Sequence, residues 1–133
     1  MGANKVNTEN GVSRPQIFVV DDEPILLELA EQILSSIPAE VRTFTNPEVA
    51  LKIYTEAEKR PALIITDFAM HEMTGLALIR ACRRLDPAQK ILLISGTVDD
   101  SVFNGAGVKP DAFLAKPYKP AVLTSVVQQL LNS

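Results

Sequence analysis

A chain of 133 residues with a single cysteine, 13 basic and 16 acidic side chains has the size of one domain, large enough to bury a core without disulfide staples. A formal charge of −3 with no lysine or arginine cluster argues against a nucleic-acid footprint, and no apolar run is long enough to cross a bilayer. The amino terminus lacks the apolar stretch of a signal peptide, and Val6 stands where a myristoylation signal needs Ser or Thr. The expectation is therefore a soluble cytoplasmic protein with no membrane partner.

Residues 1–15 are polar and aperiodic and stop at Pro15, which predicts a disordered tail or linker ahead of a domain over residues 16–133. Gln16–Val20 is an apolar strand that runs straight into Asp21 and Asp22. Pro24 opens a helix, since proline suits a first helical position. Leu26, Leu29, Ala30, Ile33, Leu34 and Ile37 are expected on its inner face, and Pro38 ends it. Glu40–Phe44 alternates loosely, as a half-exposed edge strand does. Asn46 and Pro47 then cap and start a second helix with Ala50, Ile53, Tyr54 and Ala57 as its stripe.

Residues 62–65 form an apolar run of strand length that ends in a carboxylate, Asp67, and a polar turn leads to Gly75. A third helix is predicted over Gly75–Leu85, closed by Asp86 and Pro87, with Cys82 on its apolar spacing as a small core residue. Residues 90–94 read as a fourth strand that delivers Ser95, Gly96 and Thr97 to a loop. Residues 99–106 predict a short, weakly patterned helix, the most mobile of the set. Residues 111–115 make a fifth strand ending at Lys116 and Pro117. The last helix starts at Pro120 and keeps Leu123, Val126, Val127, Leu130 and Leu131 on one face.

Five strand–helix pairs without an internal repeat predict an α/β fold: a parallel, doubly wound sheet with helices on both faces. Parallel strands share one direction, so Asp21, Asp22, Asp67, Ser95 and Lys116 all fall at the same edge, where open α/β sheets bind ligands. A lone Asp at a strand end is explained by its fitness for turns. Acids from two strands, a hydroxyl from another and a lysine from another are not. Three neighbouring carboxylates repel one another unless a cation sits among them, and oxygen donors with no His or Cys cluster favour Mg²⁺. Lys116 and Ser95 can receive a second anion, so the set describes a phosphoryl site beside Mg²⁺ in which an aspartate can itself be the nucleophile.

Taken together, Asp21-Asp22 after the first strand, Asp67-Phe68-Ala69-Met70 with Met73 and Gly75 after the third, Ser95 after the fourth and Lys116-Pro117 after the fifth resemble the receiver domain of two-component response regulators. The likeness runs from about Gln16 to Leu131. It implies a flavodoxin-like five-stranded sheet in the order 2-1-3-4-5. By the same resemblance, Asp67 is the phospho-acceptor, supplied by a phosphohistidine on a histidine kinase or histidine phosphotransfer protein. Asp22, Asp21, Asp67 and the Ala69 backbone carbonyl would hold Mg²⁺, with Ser95 and Lys116 binding the phosphoryl group. Ser95 and Phe113 would act as the switch, reporting to the surface of the fourth helix, fifth strand and fifth helix, through which a homodimer is also allowed. The Lys116–Pro117 bond is expected to be cis.

His71 stands where that family usually has proline, and it reads as an exposed loop histidine rather than a ligand. Phe113 lacks a hydroxyl and would look the same as a core aromatic. Ala69 and Gly96 offer little side chain to shield the phosphoryl site from water or to orient water there, and Thr97 is the candidate for either role. Two other functions compete. An aspartyl-phosphate hydrolase of the haloacid-dehalogenase type wants a second aspartate two residues after the nucleophile, where this chain has Ala69. A receiver-like interaction module that takes no phosphate is opposed by the intact acids, Ser95 and Lys116. The downstream target stays open, as does the choice between a stand-alone receiver that docks on a partner and a receiver cut from a larger protein such as a hybrid histidine kinase; Tyr118 after Lys116-Pro117 leans slightly toward the hybrid type.

Overall fold

Successive side chains of a strand point to opposite faces of its sheet, and the apolar runs of this chain are apolar on both. The computed structural model describes residues 8, 9 and 12–133. In it, β1 (Gln16–Val20), β2 (Glu40–Phe44), β3 (Leu63–Asp67), β4 (Ile91–Ser95) and β5 (Ala112–Ala115) form one sheet. All its pairs are parallel and its order is β2-β1-β3-β4-β5, the doubly wound order that the sequence implied. The helices α1 (Pro24–Leu34), α2 (Pro47–Glu56), α3 (Gly75–Leu85) and α4 (Pro120–Leu131) cover its two faces.

Ile17, Val19, Leu63, Ile65, Leu92 and Ile94 point to one side, under Leu27, Ala30 and Leu34 of α1 and Leu123 and Val127 of α4. Phe18, Val20, Ile64, Ile91 and Leu93 point to the other, under Ala50 and Tyr54 of α2 and Leu78, Ile79 and Cys82 of α3. Each fully buried Leu or Ile contributes about 1.5–3 kcal/mol relative to exposure. The two cores therefore hold the strand tips rigidly in register. β3 and β4 are buried throughout, whereas β2 alternates between exposed and half-buried positions as an edge strand should. Between the cores and the loops, the Tyr54 hydroxyl donates to Gln89 Oε1 at 2.9 Å, and Gln89 Nε2 donates to the carbonyls of Pro61 and Lys90, both at 3.1 Å. Burial pushes both the Tyr54 hydroxyl and the Cys82 thiol up to about 12.

Local chemistry sets the helix starts. Pro24, Pro47 and Pro120 each occupy a first-turn position, where the missing N–H costs nothing. Asn46 Oδ1 accepts from the Glu48 amide at 2.8 Å, and Thr74 Oγ1 accepts from the Ala77 amide at 3.1 Å.

Several expectations are corrected. The inner face of α1 runs through Leu27, Ala30 and Leu34, leaving Leu29 and Ile25 exposed, because Ile25, Leu26, Leu27 and Leu29 make the helix too apolar for its period to single out one stripe. That helix ends at Leu34 instead of reaching Pro38, where the Ser35 and Ser36 hydroxyls donate back to the carbonyls of Gln32 and Ile33. The helix predicted over residues 99–106 is a single 3₁₀ turn, Asp100–Phe103. Phe103 is the one residue of that turn that is buried, and Gly105 and Gly107 adopt positive φ, so no apolar stripe carries a helix forward. Of the stretch read as a tail, residues 1–7, 10 and 11 lie outside the described residues, and Thr8–Glu9 pairs antiparallel with Val12–Ser13.

Candidate functional site

β1 and β3 lie side by side with Val20 opposite Thr66, so the residues that end or follow them, Asp21 and Asp67, emerge together. Here the chain leaves β1 toward β2 on one side and returns as β3 on the other, opening the crevice at the switch in strand order. Asp21, Asp22 and Asp67 each bring a carboxylate oxygen to within 4.8 Å of the others, with Asp21 and Asp67 buried. Lys116 reaches in from the end of β5, its Nζ 3.3 Å from Asp67 Oδ1 and 3.4 Å from Asp21 Oδ2. Asp21 Oδ1 also accepts from the Glu23 amide at 3.0 Å, which ties the acid to the turn leading into α1.

The electrostatics follow from who faces whom. Burial raises the Asp67 carboxyl above its ordinary value; Lys116 opposes this and Asp21 adds to it. Burial also works against the Lys116 charge, but Asp21 and Asp67 outweigh it and the ammonium is held more firmly than in water. The two partners differ because the lysine meets two opposite charges, whereas Asp67 meets one opposite and one like charge. A surplus of negative charge is left, all of it on oxygen, and this fits a hard divalent cation.

Close approach of backbone shapes the rim. The Gly75 amide donates to the Phe68 carbonyl at 2.7 Å, and a Cβ on Gly75 would stand 2.5 Å from the Asp67 carbonyl oxygen, closer than real contacts allow. The loop after Asp67 can fold back onto α3 only with glycine there.

The remaining predicted residues are distributed around this centre. Ser95 ends β4, one strand from Asp67, and is buried; its hydroxyl oxygen accepts from the amides of Thr97 and Val98, both at 3.1 Å, and so faces its own loop. Ala69 lies exposed in the loop after β3. Phe113 is half-buried in β5 and packs on the core beneath α2 and α3. The Lys116–Pro117 peptide is cis. One member of the site was passed over in the sequence. His71 is exposed as expected, yet its Nδ1 lies 2.6 Å from Asp22 Oδ2, and its backbone amide donates to the same oxygen at 3.0 Å. The only signal for this contact was position: a loop leaving the tip of β3 must pass over the neighbouring tip of β1.

The fold and the acid cluster define a doubly wound α/β domain with three carboxylates and a lysine gathered at its strand tips. The profile of the response regulator receiver domain matches residues 17–128, and the chain belongs to that family, the receivers of two-component regulators. It is 34% identical over 126 residues to the transcriptional regulatory protein PrrA of Mycobacterium leprae (strain TN), covering 93% of this chain and 53% of that protein. It is 31% identical over 127 residues to the DNA-binding transcriptional regulator NtrC of Azospirillum brasilense, covering 92% and 25%. The chain thus spans about half the length, or less, of these relatives. Among solved structures, a receiver domain protein from Methanospirillum hungatei superimposes with a TM-score of 0.79 at 26% identity, covering 90% and 95% of the two chains. The BeF3-activated DrrB receiver domain superimposes with a TM-score of 0.78 at 25% identity, covering 90% and 99%. Among the described residues, no helix is long and apolar enough to cross a membrane.

Proposed function

We propose that this domain, spanning residues 16–133, is a Mg²⁺-dependent phosphoryl acceptor in a two-component relay, with Asp67 as the acceptor. The observation that carries this reading is the pairing of Lys116 with both Asp67 and Asp21 beside Asp22 in the crevice. An Asp67 carboxylate oxygen attacks the phosphorus of a partner's phosphohistidine. The P–N bond breaks, its electron pair stays on the imidazole, and that ring, already protonated on its other nitrogen, leaves neutral while Asp67 becomes an acyl phosphate. Asp21, Asp22, Asp67 and the Ala69 carbonyl would hold Mg²⁺, which when bound spreads the charge of the transferring group.

Lys116 supplies the second positive charge, exchanging a carboxylate partner for a phosphoryl oxygen. Ser95 gives up its loop amides to donate a hydrogen bond to that group, and Phe113 follows it inward toward the core. The donor is a histidine kinase or histidine phosphotransfer protein. Its contact is supported by an apolar cleft of about 400 Å³ between α1 and the start of α4, lined by Leu26, Leu29, Ile33 and Tyr118 and reaching Asp67 and Lys116. Exposed Ile25 and Val122 lie on the same two helices. The output passes through the surface of residues 99–111, β5 and α4 to a target protein or a second copy.

The test is intact mass after incubation with Mg²⁺ and acetyl phosphate, beside a control receiver known to accept that donor. The expected result is a gain of one phosphoryl group that needs Mg²⁺ and is lost in Asp67→Asn. Retention of the label on Asp67→Asn would move the acceptor elsewhere. No gain with acetyl phosphate or with a phosphohistidine donor, while the control is labelled, would favour an interaction module.

A further inference from the structure

Asp22 is the one acid of the cluster that Lys116 does not reach within ion-pair distance, and a different cation-capable group holds it. Two nitrogens of His71 converge on one oxygen, Asp22 Oδ2: the ring Nδ1 at 2.6 Å, and the backbone amide, which donates at 3.0 Å. The His71 ring is 88% exposed, so packing does not fix it in place; the carboxylate does. Asp22 is by contrast only 13% exposed, and its Oδ2 faces these two nitrogens. A carboxylate pinned through one oxygen has its other oxygen's direction set, and it no longer has to give up rotational freedom when it binds a cation.

Building on the Mg²⁺ site proposed above, we propose that His71 is a positioning residue for that site, clamping Asp22 from outside so that its second oxygen is presented to the cation. The imidazole stays an outer partner. Among the described residues, the group whose ligand atoms all lie within 4.8 Å of one another contains the three acids and not His71.

The experiment is calorimetric titration of the full chain with Mg²⁺, Mn²⁺ and Zn²⁺, comparing wild type with His71→Ala and His71→Asn. Asparagine carries an amide nitrogen where histidine has Nδ1, so it can restore the donor without restoring a strong metal ligand. His71→Ala is expected to weaken Mg²⁺ and Mn²⁺ about tenfold or more, in the range found when a metal ligand loses the partner that orients it, with Zn²⁺ falling by a similar factor. His71→Asn should recover most of the affinity for all of these ions. Circular dichroism should show both variants as folded as the wild type. Unchanged or tighter Mg²⁺ binding in His71→Ala would overturn the clamp, the latter by showing that the histidine competes with the ion. A loss confined to Zn²⁺ would overturn it by making the imidazole a direct ligand. A wild-type chain that binds no divalent cation would overturn the reading of the site itself, and the clamp with it.

Discussion

Asp67 holds a proton more tightly in the folded chain than in water, because its burial outweighs the pull of one shared lysine. Its folded pKa lies above the ordinary 3.8, so the folded state binds the extra proton. The contribution of Asp67 to stability is therefore greatest at low pH and falls as pH rises from that ordinary value through the raised one. An ionised Asp67 at neutral pH is thus a destabilising group in the absence of a cation. Asp67→Asn is expected to melt at a higher temperature than wild type at pH 7 in metal-free buffer, with the gap closing as the pH is lowered toward 4. Melting curves across that range check it, and a variant less stable at pH 7 would show that the Lys116 pairing outweighs burial. Asp21, Asp67 and Lys116 were legible in the sequence, because each follows an apolar run whose direction the parallel sheet fixes. The grip of His71 on Asp22 was not, since it joins residues 49 apart through the path of a loop, which no periodicity encodes.

At the scale of elements, the segment between β4 and β5 stands apart. It forms one 3₁₀ turn, and its lower part is fastened by side chains of α3: Arg80 donates to the Ala106 carbonyl at 3.0 Å. Arg83 donates to the carbonyls of Gln89 at 2.8 Å and Lys109 at 3.1 Å and to Asp111 Oδ2 at 2.8 Å. Asp111 Oδ2 in turn accepts from the Ile91 amide at 2.7 Å, so Arg83 braces the β4–β5 pair as well as the loop. Arg83→Ala should speed amide exchange over residues 104–111 by on the order of tenfold, equivalent to about 1.4 kcal/mol, with α1 and β1 unaffected. Exchange that rises evenly over the whole chain would assign Arg83 to global stability instead. The sequence called for a helix here because strand–helix alternation leads one to expect it. What it could not convey is that Val102 and Phe103, with glycines close behind, bury too little to hold the two turns of helix expected over residues 99–106. The first-turn prolines and the Asn46 cap made the starts of α1, α2 and α4 readable, whereas the facing of α1 was not, since apolar residues surround its first turns.

For the whole molecule, the carboxylates gathered from two strand tips come together only in the folded chain, so a cation held by them as proposed would be linked to folding. Any ion that binds the folded chain alone adds RT ln(1 + [L]/Kd), about 2.7 kcal/mol at a concentration one hundred times Kd. Mg²⁺ is thus expected to raise the melting temperature in a saturable way, EDTA to reverse the rise, and Asp22→Asn to flatten it. A wild-type melt indifferent to Mg²⁺ would count against the metal site. The parallel sheet has one more implication. The Ala62 amide reaches the Gln16 carbonyl where β1 begins, and Ser133 Oγ meets Lys90 Nζ just ahead of β4, so both ends of the domain depart from the margin opposite the acids. A five-residue strand separates the two margins by about 15 Å. A fluorescent tag or a neighbouring module joined directly ahead of Gln16 or after Ser133 would start from the margin away from the crevice, which makes this fold an easy one to insert into longer proteins and to label without covering the acids.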